Sequence, residues 1–426
     1  MSTTVQQEQS PAKTIIGTGL GNALEWYDWQ VYATFTPFIA AQIFRTEDPT
    51  AALLSTLAIF AVGFLARPLG GVLFGWLADA KGRKFSLVAS VALASLGALL
   101  IAVIPPFATI GVMASFLLLV ARLIQGLAHG GELPSAQTYL NETAPRERRG
   151  LWSSLIYISG TSGILLATVL GAILTTWLPT DFMSVWGWRI PFLLASVLGL
   201  YTLIMRARLE ETEHFEQVQD TQEARTSALR QLLQNKVSVL KVIGLTVGFT
   251  VAYYVWSVTA PTYASGVLGM DKAASLWSGI VGNVIFIAFL PLWGALSDRI
   301  GRKPVLLIGT LGTAAAYWPM NAVMDSRPWT LIVAMSVALF FLSAVASIAP
   351  AVYSELFPTT VRTLGTALPY AIAVAVFGGT APYLQTFFSS LGAGWLFSVY
   401  AIVLLVISAG VVVSLKESKG MDLHDH

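Results

Sequence analysis

The sequence predicts an all-α membrane protein, with twelve transmembrane helices in two pseudo-symmetric six-helix bundles. Three observations point there. Hydrophobic residues fill 55% of the 426 positions and charged residues only 11%, less than half of the roughly 25% that a water-facing surface carries. Apolar stretches of membrane-spanning length recur twelve times. The loop motifs of the first six stretches return in the second six.

A spanning helix needs about 20 mostly apolar residues, because the hydrocarbon core is about 30 Å thick and each residue rises 1.5 Å. Six candidates lie at 14–40, 52–78, 86–104, 111–141, 150–177 and 188–206, making an N-terminal bundle over 14–206. Six more lie at 241–263, 275–297, 304–323, 330–355, 363–388 and 395–415, making a C-terminal bundle over 241–415. The tail 1–13 is polar and is not followed by a short apolar run with a small-residue cleavage site, so no cleaved signal peptide is expected. Residues 207–240 form a hydrophilic linker; from Arg206 to Lys241 the chain carries six acids and six bases. An amphipathic surface helix and a plain tether both suit it. Residues 416–426 form a second polar tail.

Arginine and lysine set the orientation. The even-numbered connections and both termini hold 19 of the 25, whereas the opposite side holds only Arg45, Arg189, Lys272 and Arg327. Both termini are therefore expected in the cytoplasm, with the chain crossing the cell (inner, cytoplasmic) membrane. The last two cations, Arg67 and Arg122, fall inside expected helices.

The repeat is written in two motifs. Gly75…Asp79…Gly82-Arg83-Lys84 follows the second span and Gly294…Asp298…Gly301-Arg302-Lys303 follows the eighth; both read G-x3-D-x2-G-R-K. Glu142-x2-Pro145-x3-Arg149 ends the fourth span, and Glu355-x2-Pro358-x3-Arg362 ends the tenth. Two independent motifs at corresponding spans indicate a tandem duplication. The glycines permit a tight turn and close helix approach. Asp79 and Asp298 can cap a neighbouring helix N-terminus or pair with a base such as Arg83 or Arg302. That arrangement suits a latch that breaks when the inward face opens, and it also suits a static turn.

Charge inside a membrane is expensive, about 2.5–3.5 kcal/mol per residue at mid-bilayer on insertion scales. Glu25, Asp28, Arg67, Arg122 and Glu132 nevertheless sit deep in the first half. Counted from the helix ends, Glu25, Asp28 and Arg67 share a level about 16–21 Å in, with Arg122 somewhat beyond. Glu25 and Asp28 share one face of the first helix, with Trp29 and Tyr32 one turn on. Arg122, Gln125, His129 and Glu132 form a stripe about 80° wide on the fourth. Such a group is either a fully paired structural network or a functional site. Burial disfavours an ionised carboxylate and a nearby arginine favours it, so Asp28, Glu132 and Glu25 are candidates for proton coupling. His129 is a further group able to titrate near neutrality, or a packed structural residue. Arg67 and Arg122 are candidates for a carboxylate-bearing substrate, since a guanidinium offers bidentate hydrogen bonds. The second half has no charge in its helix interiors but holds Tyr253, Tyr254, Asn283, Asn321, Tyr370 and Gln385. Of these, Tyr253, Asn283 and Tyr370, together with Tyr32, are candidate substrate contacts.

The whole chain resembles the major facilitator superfamily, whose hallmark is the loop after the second span echoed after the eighth. The resemblance implies two bundles rocking about a central site reached alternately from each side. Gly21-Asn-Ala-Leu-Glu25-Trp-Tyr-Asp28, Arg67-Pro68-Leu-Gly70-Gly71, Arg122-Leu-Ile-Gln125-Gly126-Leu-Ala-His-Gly130-Gly131-Glu132 and Trp186-Gly187-Trp188-Arg189 resemble the metabolite:proton symporter family within it. Phe357-Pro-Thr-Thr-Val-Arg362-Thr-Leu-Gly365 and the tail Lys419-Gly-Met-Asp-Leu look most like its α-ketoglutarate permease branch. The chain departs from that branch at Leu133-Pro134 and Trp29-Gln30. The resemblance implies proton-coupled symport of a small organic anion, such as the dicarboxylate 2-oxoglutarate, by a monomer in contact with membrane lipid. Shikimate and citrate are alternative carboxylates. A zwitterion such as betaine or proline is the main rival, with Trp26, Trp29 and Tyr32 as a cation–π cage.

Other classes fit poorly. The fifth span, Ser159–Gly171, lacks the Gly-Pro…Gly-Gly run of drug-exporting antiporters, and Arg206–Phe215 lacks the Pro-Glu-Ser motif of sugar porters. Without cysteine there is no disulfide framework, zinc cluster or thiol nucleophile. No nucleophile elbow or phosphate-cradling loop marks an enzyme, no cofactor is expected, and a net charge of +2 gives no reason to expect nucleic acid.

Overall fold

The computed structural model describes residues 11–45, 47–81, 83–130, 140–207, 232, 234–359 and 361–423, with backbone alone at 11–18, 78–80, 83, 84 and 205–207. Among these residues twelve long rods follow in order. They are α1 (Pro11–Ile43), α2 (Pro49–Lys81), α3 (Arg83–Val103), α4 (Val112–Ala128), α5 (Arg149–Trp177) and α6 (Ile190–Ala207). The second half supplies α7 (Lys236–Gly266), α8 (Lys272–Ile300), α9 (Arg302–Val323), α10 (Pro328–Glu355), α11 (Arg362–Ser390) and α12 (Gly394–Ser414). Each expected span overlaps one rod; the fourth, 111–141, does so over Val112–Ala128, and its residues 131–139 lie outside the described residues. Nine of the rods in the described residues are long and apolar enough to cross a membrane by length and composition; α1, α4 and α9 make up the rest. Most of the expected 207–240 linker, and the chain from 131 to 139, lie outside the described residues.

The outer surface is apolar, with Leu69, Val72, Val112, Val197 and Val413 largely exposed, as a helix surface bathed in hydrocarbon requires. Six of the seven exposed tryptophans among the described residues gather toward the face remote from the termini, Trp76 near the other end of α2 being the exception: Trp177 and Trp186 lie at the α5–α6 connection, and Trp277, Trp318, Trp329 and Trp395 lie at the corresponding ends of α8, α9, α10 and α12. An amphipathic indole favours the membrane–water boundary, so these rings mark one edge of the hydrocarbon layer.

Within the first half α1 packs on α5, α2 on α4, and α3 on α4 and α6; within the second, α8 and α9 pack on α10, and α7 and α9 on α12. Between halves α5 meets α8 and α10, α2 meets α11, and α1 meets α7. Exchanging each helix for its counterpart six places along converts the α5–α8 contact into α11–α2. The junction therefore has the same approximate two-fold symmetry as the loop motifs. The α5–α8 crossing depends on two facing glycines: a Cβ on Gly150 would lie 2.7 Å from the Gly294 carbonyl oxygen, and one on Gly294 2.6 Å from that of Gly150.

Two rods are not uniform α-helix. α7 contains a π segment at Tyr254–Thr259 and α11 one at Val374–Gly378. Such wide turns are uncommon and cluster at functional sites. The two face each other, since a Cβ on Gly378 would come within 2.5 Å of Thr250 Oγ1 and 2.8 Å of the Tyr254 ring. They sit at the level where α7 and α11 touch the first half.

Candidate functional site

α1, α2 and α4 bring the deep charges of the first half together. α1 presents Glu25 and Asp28 on one face, three residues apart, and α4 presents Arg122, Gln125 and His129 toward them. The Gln125 amide donates to both Asp28 oxygens, at 3.0 and 2.8 Å, while its own oxygen accepts from Arg122 Nη1 at 2.9 Å. Gln125 thus bridges base and acid. His129 Nε2 lies 3.1 Å from Asp28 Oδ2, and Arg67 on α2 forms an ion pair with Glu25. The structure brings Glu25, Asp28, Arg67 and Arg122 together as one cluster; Glu132, expected with them, lies outside the described residues. Gln125, which the sequence placed on the stripe without a role, is its connecting piece.

Arg122 is fully buried. Its guanidinium carbon stands 4.1 Å from the Trp29 ring centre and 4.3 Å from that of Tyr32, within cation–π range. Among the described residues its Nε and Nη2 have no hydrogen-bond partner. A buried cation with two unused donors is costly unless an anion meets it. Arg67 leans on Trp29 and Phe64, at 5.4 Å from each ring centre.

Above the charges an aromatic layer joins the halves. Trp26 contacts Tyr253 and Tyr254 at centroid distances of 5.5 and 6.0 Å, Phe64 contacts Tyr254 at 5.1 Å, and Tyr157 contacts Tyr253 at 5.5 Å. Gly379 on α11 admits Phe64, whose Cβ would lie 2.6 Å from a methyl at that position. Tyr370 lies nearer the termini-bearing face, 6.1 Å from Tyr353. Hydrogen bonds from Gln30 Nε2 to the Val258 carbonyl (3.1 Å) and from Thr262 Oγ1 to that of Ala33 (2.8 Å) close the junction on the other side.

The remaining expected contacts sit elsewhere. Asn283 is committed within the second half: it accepts from Ser257 Oγ at 2.6 Å and donates to the Ser257 and Gly279 carbonyls at 3.0 and 3.2 Å. It ties the π segment of α7 to α8 and has no group turned to the junction. The Tyr32 hydroxyl donates to the Thr56 carbonyl at 2.9 Å, leaving only its ring to the site. Asn321 and Gln385 line a separate cavity of about 270 Å³ near the face remote from the termini. Glu132 and the side chains of Asp79 and Arg83 lie outside the described residues.

At the termini-bearing face the repeated motifs meet, and they exchange partners. Glu142 of the first E-x2-P-x3-R motif pairs with Arg362 of the second at 2.8 Å, while Arg149 of the first pairs with Glu355 of the second at 3.2 Å. Asp298 accepts the backbone N–H groups of Gly150 and Leu151 at 2.8 and 3.0 Å, capping α5 from the opposite half, and also holds Arg302 at 2.7 Å. A carboxylate at a helix N-terminus meets both unpaired donors and the positive end of the helix dipole. Asn141 Nδ2 donates to the Pro350 carbonyl at 2.9 Å, and Ala351 N–H to Ser153 Oγ at 3.2 Å. The C-terminal tail lies across this network: Arg149 donates to the Met421 carbonyl at 2.9 Å and Arg362 to that of Leu423 at 2.7 Å. Burial alone would push the tail's Glu417 carboxyl up, but N–H groups of Arg302, Lys303, Lys419 and Ser418 outweigh it and hold it below the usual glutamate range.

The sequence matches the model of the sugar (and other) transporter family over residues 14–244 and 216–426. The chain belongs to this family of the major facilitator superfamily. It is a multi-pass membrane transporter and not an enzyme. This transporter is 36% identical over 415 residues to the alpha-ketoglutarate permease of Escherichia coli (strain K12), covering 96% of this chain and 95% of that one. It is 35% identical over 375 residues to a citrate-proton symporter of Klebsiella pneumoniae, covering 86% and 83%. It is also 35% identical over 378 residues to a Staphylococcus aureus (strain MSSA476) protein provisionally named a proline/betaine transporter, covering 88% and 81%. In fold it is similar to the proton:xylose symporter XylE bound to 6-bromo-6-deoxy-D-glucose, with a TM-score of 0.75, 19% identity and 97% of both chains covered.

Asp298→Ala removes two charge-assisted hydrogen bonds across the halves, each worth about 1.5–3 kcal/mol, so the closed-to-open ratio at this face should fall about a hundredfold or more. The natural chain has no cysteine, and Ser153 is buried at this junction. A Ser153→Cys variant should therefore react with maleimide about a hundredfold faster when Asp298→Ala is added; equal rates would assign Asp298 to a static turn.

Proposed function

We propose that the chain is a proton-coupled symporter of a small organic anion, a dicarboxylate such as 2-oxoglutarate, working by alternating access. The observation that carries this reading is Arg122, a buried guanidinium with two unused donors beside a carboxylate that it reaches through Gln125. Ionised Asp28 and an anionic solute compete for the same positive charge. A proton on Asp28 removes the competitor, so anion and proton bind best together, and each raises the affinity for the other by the same factor. That linkage is symport. Arg67, held by Glu25, would take the second carboxylate once the aromatic layer parts, with Tyr253 and Tyr370 as contacts from the other half. Glu132 is retained as a further proton-coupling candidate.

The relatives named for α-ketoglutarate and citrate support an anion, and the relative provisionally named for proline/betaine supports a zwitterion. Geometry favours the first. The Trp29 and Tyr32 faces that would receive a quaternary ammonium are already covered by Arg122. In this reading the exchanged Glu142–Arg362 and Glu355–Arg149 pairs, with Asp298 and Arg302, form the gate, and Asp79 and Arg83 its counterpart in the first half. The positive charge at the termini-bearing face supports a cytoplasmic position for it, and in this reading the chain works as a monomer in the cell membrane.

Arg122→Ala and Arg67→Ala should each abolish uptake of labelled 2-oxoglutarate into liposomes under an inward proton gradient, while both proteins remain folded and monodisperse. Undiminished uptake by either variant would defeat the carboxylate-clamp mechanism. An excess of betaine should leave uptake by the parent unchanged; competition would move the assignment to a zwitterion.

A further inference from the structure

A cavity of about 80 Å³ lies inside the first half, among α1, α3, α4 and α6, away from the junction between the halves. Asp28 and Glu25 on α1, His129 on α4, Ser90 and Ser95 on α3, and Thr202 on α6 line it. The rest of the wall is apolar, but the polar groups set into it give water partners, and the size suits several water molecules. Arg122 and Gln125 lie outside its wall, so Asp28 has two sides: Gln125 leads to the substrate arginine, and His129 borders the cavity.

The cavity has a direction. Ser90 stands seven residues inside the start of α3 and Thr202 five before the end of α6, each within about 8–10 Å of the termini-bearing face. Gly21, also on the wall, is seven residues nearer that face than Asp28, or about 10 Å. The lining thus descends from the carboxylate toward the face where the exchanged ion pairs hold the halves shut.

We infer that this cavity is a hydrated proton vestibule, giving Asp28 an exchange route to the termini-bearing face separate from the substrate path. The inference rests on the symport reading for its purpose, though the vestibule itself is testable alone. The charged and titratable groups that face Asp28 are Glu25 and Tyr27 on its own helix, Arg122 and His129 on α4, and Arg67 on α2 through Glu25. α3 and α6 contribute hydroxyls to the cavity wall. A hydrated proton in the vestibule passes to the Asp28 carboxylate and leaves neutral water behind; the reverse step returns it. Proton release then needs no parting of the bundles, and the gate governs solute alone.

Single-cysteine variants test this in a chain that has none of its own. Ser95→Cys and Thr202→Cys, in membranes with the termini-bearing face outward, should react with 2-(trimethylammonium)ethyl methanethiosulfonate, a permanently charged cation excluded from lipid. Ser153→Cys at the shut junction should stay unmodified under the same conditions. Silence at both Ser95→Cys and Thr202→Cys means a dry cavity and overturns the inference, whatever the substrate proves to be. Ala94→Leu, which fills the wall without touching the charges, should abolish proton-driven accumulation yet leave solute exchange without net proton movement at the parent rate. Equal loss of accumulation and exchange would also overturn it. Failure to transport any carboxylate, with the cysteines still reactive, would instead count against the anion reading.

Discussion

Everything at the centre of this transporter is organised around one buried guanidinium. Arg122 lies where an ion costs about 2.5–3.5 kcal/mol on insertion scales. Contacts with Trp29 and Tyr32, up to about 2 kcal/mol each when desolvated, and one hydrogen bond to Gln125 are of the same size. The charge is tolerated but not satisfied, since among the described residues two of its nitrogens have no hydrogen-bond partner. A fully paired network would be stable and inert. This one is held together with donors to spare, which in the proposed mechanism lets it bind an anion and then release it.

The arrangement also separates three tasks in space. In the proposed mechanism Asp28 and its surroundings take up and release the proton, the aromatic layer from Trp26 to Tyr254 stands between the charges and the second half, and the network at the termini-bearing face is the gate. The π segments of α7 and α11 lie beside the aromatic layer, where a regular helix would have to give way for those rings to shift. Asn283, expected at first to touch solute, instead fastens one of these segments to its neighbour.

How much could be read in advance follows from the range of each interaction. The rods were legible because hydrocarbon imposes its thickness on composition, and that is a property of each segment alone. The clustering of Glu25, Asp28, Arg67 and Arg122 was legible because depth and helical face follow from local spacing, given the same repeat. The bridging role of Gln125 was not, because a neutral amide on a polar stripe carries no signal until its two neighbours are placed. The π segments were hidden too: Tyr254–Thr259 and Val374–Gly378 have ordinary apolar sequences, and their extra width is fixed by packing between α7 and α11. The E-x2-P-x3-R motifs were visible as a repeat, but their cross-pairing depends on tertiary contact.

That cross-pairing has a consequence for symmetry. When an acid on one half binds a base on the other and the corresponding acid reciprocates, the bond pattern is that of an isologous interface, the kind formed by two identical subunits about a two-fold axis. Arg362 also holds the Ser354 and Phe357 carbonyls of its own half, so the carboxylate from the other half adds to a side chain already fixed in place. Glu142–Arg362 and Glu355–Arg149 are thus disposed as the bonds of a homodimer would be about its axis, inside one polypeptide.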